Sequence, residues 1–138
     1  MKPNSMELLI LDGPPAFSNF ALEKVVRAAR AHSSGRVNDL YAEYVHLLWI
    51  NSALDEEEIK RSQALLSYGP KHGLPERRGE PVGVVLPRRG TISPWSSKAS
   101  DIFRICELHK VVRVERGIRW YLDGACDFDA LMTDLHVA

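Results

Sequence analysis

Strand-like and helix-like segments alternate along this chain in an order that occurs twice, and few folds accommodate that. Glu7 to Leu11 is a short apolar run closed by Asp12, Gly13, Pro14 and Pro15, the pattern of a buried strand ending in a tight turn. Ser18 is placed to cap a helix, its hydroxyl accepting from the orphan amides of the first turn. Leu22, Val25, Val26 and Ala29 then recur at helical spacing until Ser33 to Gly35. From Leu40 to Ile50 the residues are β-branched, aromatic or long and apolar, with Glu43 and His46 among them, which predicts a long strand covered in part on both faces. Asp55 to Glu58 sets four carboxylates at the start of a segment containing Ile59, Leu65 and Leu66, where negative charge suits the positive end of a helix and reads as a cap, not a metal site. Tyr68, Gly69 and Pro70 close that helix. The second half repeats the order: Val82 to Leu86 as a strand, Ser93 to Cys106 as a loop entering a helix, Val111 to Glu115 with Gly117 to Leu122 as a strand or bent strand pair, and Asp127 to Leu135 as a helix.

Strand, helix, strand, helix twice, in roughly 70 residues each and with no residue-level repeat, predicts a two-layer α+β domain. Its halves are 6–69 and 81–138, joined by a polar, flexible loop at 71–80. A single ferredoxin-like sheet with appended helices is the competing arrangement. The 138 residues suit one domain spanning 1–138. Eighteen basic and eighteen acidic side chains cancel, so no global field draws in nucleic acid or an anionic membrane, and any anion site must be local. The two cysteines, Cys106 and Cys126, lack the number and spacing of a disulfide framework or zinc site and suit a reducing cytoplasm. The longest apolar runs are strand-length and the N-terminus lacks a signal pattern, so a soluble, cytoplasmic protein is expected.

The least generic stretch is Pro87 to Ile102, where hydroxyls, cations and one tryptophan meet at a strand–helix junction. Ser93 followed by Pro94 fits an N-cap with proline in the first helical position. That leaves amides near Trp95, Ser96 and Ser97 to meet an anion or a partner carbonyl, with Lys98, Arg88 and Arg89 adding charge. The plainer account has Ser93 only capping, Trp95 filling core and the cations solvated. Neither a Gly-Lys-Ser/Thr phosphate loop nor a Gly-x-Gly-x-x-Gly fingerprint is present. Side-chain alternation places Tyr44 and His46 on one strand face and Glu43 on the other, so Glu43 and His46 do not make a catalytic dyad. Glu115, Arg116 and Gly117 suggest an ion pair or a bulge. No serine sits in a nucleophile elbow, and Cys106 lies among Ile102, Phe103 and Ile105, surroundings that do not activate a thiol.

Several segments together carry a family resemblance. Thr91 to Lys98 within Gly90 to Ile102, Gly13 to Ser18, Tyr41 to His46, Leu65 to Pro70 and Val114 to Ile118 resemble, in order and spacing, the N-terminal region of the large single-chain phosphoribosylformylglycinamidine synthases. The likeness runs from about Glu7 to His136. The chain departs from the family where Arg89 replaces a frequent proline and Glu107 replaces a glycine before Leu108. The resemblance implies a PurS-like domain, similar to a pair of small accessory subunits of multi-subunit enzymes, within a ligase of purine biosynthesis. In that ligase a synthetase region uses ATP and magnesium, and a glutaminase region carries a cysteine nucleophile. The implied partners are those two regions, with self-association of the isolated chain, and the implied role is assembly and a protected ammonia route. No catalytic residue, cofactor or metal is expected within this chain. Thr91, Ser93, Trp95, Ser96, Ser97 and Lys98 are the expected docking or ligand-proximal residues, supported by Arg88, Glu115 and Arg116. A small-molecule module binding an anion or nucleotide is the alternative.

Overall fold

The computed structural model describes residues 6–68, 73–87 and 92–134. Its elements in chain order are β1 (Glu7–Pro15), α1 (Asn19–His32), β2 (Val37–Ile50), α2 (Glu56–Leu65), β3 (Glu80–Val85), α3 (Pro94–Ile105), β4 (Val111–Gly124) and α4 (Phe128–Asp134). The strands form one antiparallel sheet in the order β1-β2-β4-β3, so the two long strands lie at the centre and the two short ones at the edges. Strand–helix–strand–helix therefore does occur twice, and the sheet order reads the same from either edge. A ferredoxin-like sheet, built on split βαβ units with parallel strands, does not form, because β1 and β2 pair antiparallel although α1 joins them.

The helices cover one face of the sheet in two groups, each with its own core. Leu22, Val26 and Ala29 of α1 and Leu131 and Met132 of α4 pack on Leu40, Ala42, Trp120 and Leu122. At the other end, Ala99 and Phe103 of α3 and Leu66 after α2 pack on Leu48, Ile50, Val111 and Val114. Phe103 is fully buried, and truncating such a ring to alanine costs about 3–5 kcal/mol. The side chains of Tyr44 and His46 fall between these cores.

The caps anticipated from sequence are present: Ser18 Oγ accepts from Ala21 N, Asp55 and Glu58 form a reciprocal capping box, and Ser93 caps α3 ahead of Pro94. Several boundaries differ. β1 continues to Pro15 because a register shift between Asp12 and Pro15 on an edge strand tolerates prolines. α2 ends at Leu65, before Tyr68. β4 is one strand without a bulge at Gly117. The glycine serves close packing instead, since a Cβ there would stand 2.6 Å from Leu86 Cδ2 and 2.9 Å from the Val85 carbonyl. Between halves, Gly73 O accepts from Asn19 N, Arg77 reaches Glu43, and Arg78 pairs with Asp39 at 2.7 Å.

Among the described residues, β3 pairs with residues 118–122 of β4, and no strand lies beside the rest of β4 on this side. Two serines of α3 serve Val114 there, and Glu115 of β4 serves its own neighbour. Ser96 Oγ donates to the Val114 carbonyl at 2.5 Å, Ser100 Oγ accepts from Val114 N at 3.0 Å, and Glu115 Oε1 accepts from Arg116 N at 3.0 Å. α3 then ends in a glycine-type cap without a glycine: Glu107 has φ +64, its N–H donates to Arg104 O, and Leu108 N donates to Phe103 O.

Candidate functional site

Between the two cores, five side chains converge on the helical face. His46 and Arg116 are cross-strand partners of β2 and β4, Tyr44 lies two residues before His46, Tyr68 follows α2, and Trp95 is in the first turn of α3. The Arg116 guanidinium lies 4.3 Å from the Tyr44 ring centre, 4.7 Å from that of Trp95 and 5.9 Å from that of Tyr68. These are cation–π distances on three sides. Arg116 Nη1 donates to Tyr68 Oη at 3.2 Å, and the same oxygen shares a 2.7 Å hydrogen bond with His46 Nε2. His46 stacks on Trp95 with ring centres 5.7 Å apart.

His46 is 0% exposed, and its Nδ1 has no hydrogen-bond partner among the described residues. Burial, and then the Arg116 charge, pull its pKa down to about 4, so the ring is neutral at neutral pH. Burial also pushes the Tyr68 phenol up, opposed by Arg116. A Cβ at Gly13 would collide with the His46 ring, so only glycine lets β1 pass there. Two clefts flank the cluster and share Tyr44 and Arg116. One, of about 300 Å³, is walled by Pro14, Phe17, Tyr68 and Leu74; the other, of about 270 Å³, by Val85, Leu86 and Ile118.

The anticipated loop residues part company here. Trp95 is half-buried and faces this cluster, with Arg116 against it. Ser93 is occupied in capping Ser96 N at 3.0 Å and donating to Glu115 Oε1 at 3.1 Å; Ser96 is fully buried at the strand edge. Glu115 lies buried with Arg113 3.4 Å away, while Ser97 and Lys98 are exposed. Thr91 and Arg88 lie outside the described residues. Side-chain alternation puts Tyr44 and His46 on one face, but nothing local joins Tyr68 to them, and the convergence on Arg116 needs the β2–β4 register.

The opposite face carries a second cluster. Glu43 is 2% exposed and accepts from Arg77 (2.8 Å to either oxygen), Arg119 (3.2 Å), Tyr121 (2.9 Å) and Tyr41 (3.3 Å). Arg119 also reaches Asp12 at 3.0 Å. Burial and the Glu43 charge push the Tyr41 phenol up to about 12. Every lone pair of Glu43 thus has a donor close by, which is the condition of a structural carboxylate and not of a base awaiting a proton. Among the described residues no group of three or more His, Cys, Asp or Glu is arranged to hold a metal, and no helix is long and apolar enough to cross a membrane.

A family model described as the formylglycinamide ribonucleotide amidotransferase N-terminal region matches residues 43–136. The chain belongs to this family. The amidotransferase N-terminal match opens at Glu43 in β2 and takes in Tyr44, His46, Tyr68, Trp95 and Arg116, so both clusters have their central residues inside it. Membership places the chain in the context of purine biosynthesis and gives it a role in formylglycinamide ribonucleotide amidotransferase.

Proposed function

We propose that this N-terminal domain is an assembly element of the amidotransferase, packing against its synthetase and glutaminase regions and helping to keep the route of ammonia between them protected. One observation carries the reading: the helices occupy a single face of the sheet, and on the other, beside the buried Glu43 cluster, the β1 edge keeps apolar side chains in solvent. Leu8 and Ile10, 50% and 52% exposed, pair with Trp49 and Leu47 on that face. An antiparallel sheet can leave one face solvated, but such faces ordinarily turn polar side chains outward. Adjacent apolar groups of this kind mark contact surfaces. The chemistry belongs, on this reading, to the other regions, which use ATP and magnesium, while this chain holds no cofactor of its own. Trp95, turned inward, is a support of the cluster and leaves docking to the bare face.

The test is made in the whole amidotransferase. Leu8→Glu with Ile10→Glu should raise glutamine hydrolysis per amidine formed at least severalfold, or release the domain, while circular dichroism of the isolated chain stays native. Unchanged coupling in a variant whose domain remains folded and attached would overturn the proposal.

A further inference from the structure

The Arg116 cluster raises a question independent of docking: what the guanidinium is for. Arg113 and Arg119 approach carboxylates, Glu115 and Glu43 respectively. Arg116 is half-buried, and among the described residues no carboxylate pairs with its side chain. Its Nη1 is used on Tyr68, whereas Nε and Nη2 have no hydrogen-bond partner among the described residues and are not sealed from solvent. Those two N–H groups form the side-on fork that meets both oxygens of a carboxylate or phosphate. The rings of Tyr44 and Trp95 hold the guanidinium plane, and the buried His46 fixes the Tyr68 hydroxyl that orients it.

We infer that the cleft beside Arg116 binds a small organic oxyanion, a carboxylate or phosphate carried on a compact apolar or aromatic body. The guanidinium fork takes the charged end. Pro14, Phe17 and Leu74 line the walls for the body, and about 300 Å³ lies at the small end of the range for small-molecule sites. Ser18, whose hydroxyl caps α1, lies on the same wall.

The experiment is an NMR titration of the 138-residue chain with benzoate, phenyl phosphate and inorganic phosphate, followed at the Trp95 indole N–H and the backbone amides of the cleft, and in the wild type also at the Arg116 Nε–H, with chloride matched for ionic strength. Benzoate or phenyl phosphate should saturate the shift, and Arg116→Gln should raise the dissociation constant at least tenfold. Leu74→Glu, which places a carboxylate on the cleft wall and leaves the cluster intact, should weaken binding as well. Absence of saturation with every probe, an equal response to chloride, or unchanged affinity in folded variants would overturn the site. Equally tight binding of inorganic phosphate would overturn the part assigned to the apolar walls. None of these outcomes bears on the docking of the bare face.

Discussion

At His46, a buried imidazole meets a guanidinium, and stability must depend on pH. The folded pKa of about 4 lies below the unfolded value of 6.5, so the unfolded chain binds the proton more readily between those limits. The contribution is complete above pH 6.5 and is lost as the pH falls towards 4, by up to about 3 kcal/mol. Urea midpoints measured from pH 7 to pH 4 should fall accordingly, and a folded His46→Gln variant should show a flatter profile. Glu107 offers the opposite sign. It occupies a left-handed conformation at the end of α3, where the resembling family carries glycine, and Glu107→Gly should stabilise by about 1 kcal/mol in chemical denaturation. Glu43→Gln should destabilise by about 2–3 kcal/mol, because Arg77 and Arg119 lose the buried charge they share; an unchanged midpoint would refute that account. The separation of Glu43 from His46 was legible in side-chain alternation alone. The five-membered cluster was not, since Tyr68 and Trp95 reach it from elements whose packing no local pattern encodes.

At the scale of elements, the caps and the repeated order were open to reading because they rest on local chemistry: a serine before a helix, carboxylates in a first turn, proline at the first helical position. Strand lengths were less so. β2 and β4 run fourteen residues each because they pair with one another almost throughout, and that pairing carries Gly117 through a site that looked like a bend. The hydroxyl-rich start of α3 looked more polar than a helix cap requires. Part of the surplus serves a strand edge, where Ser96 and Ser100 bond both backbone groups of Val114. Ser96→Ala with Ser100→Ala leaves those groups unsatisfied and should cost about 2–3 kcal/mol. Hydrogen exchange at Val114 N should quicken well before that at Val45 N in the sheet interior; equal protection would place the serines outside the edge's support.

For the whole molecule, two cores on one side of a sheet and apolar side chains on the other describe a body finished on one surface only. The isolated chain should self-associate at high concentration, and Leu8→Ser with Ile10→Ser should make it sediment as a monomer. A wild-type chain that is strictly monomeric throughout would count against the bare face as a contact surface. It should also release no ammonia from glutamine, and release that a Cys106→Ser variant abolished would contradict that. The serine-lined margin of β4 bears on a different hazard. A strand with idle backbone groups is a template on which another chain can add, and successive additions grow into fibres. By keeping both backbone groups of Val114 occupied from within, α3 obstructs such addition at this stretch of the margin, so that further contacts are directed to a face, where they stop, and away from a border, where they would propagate.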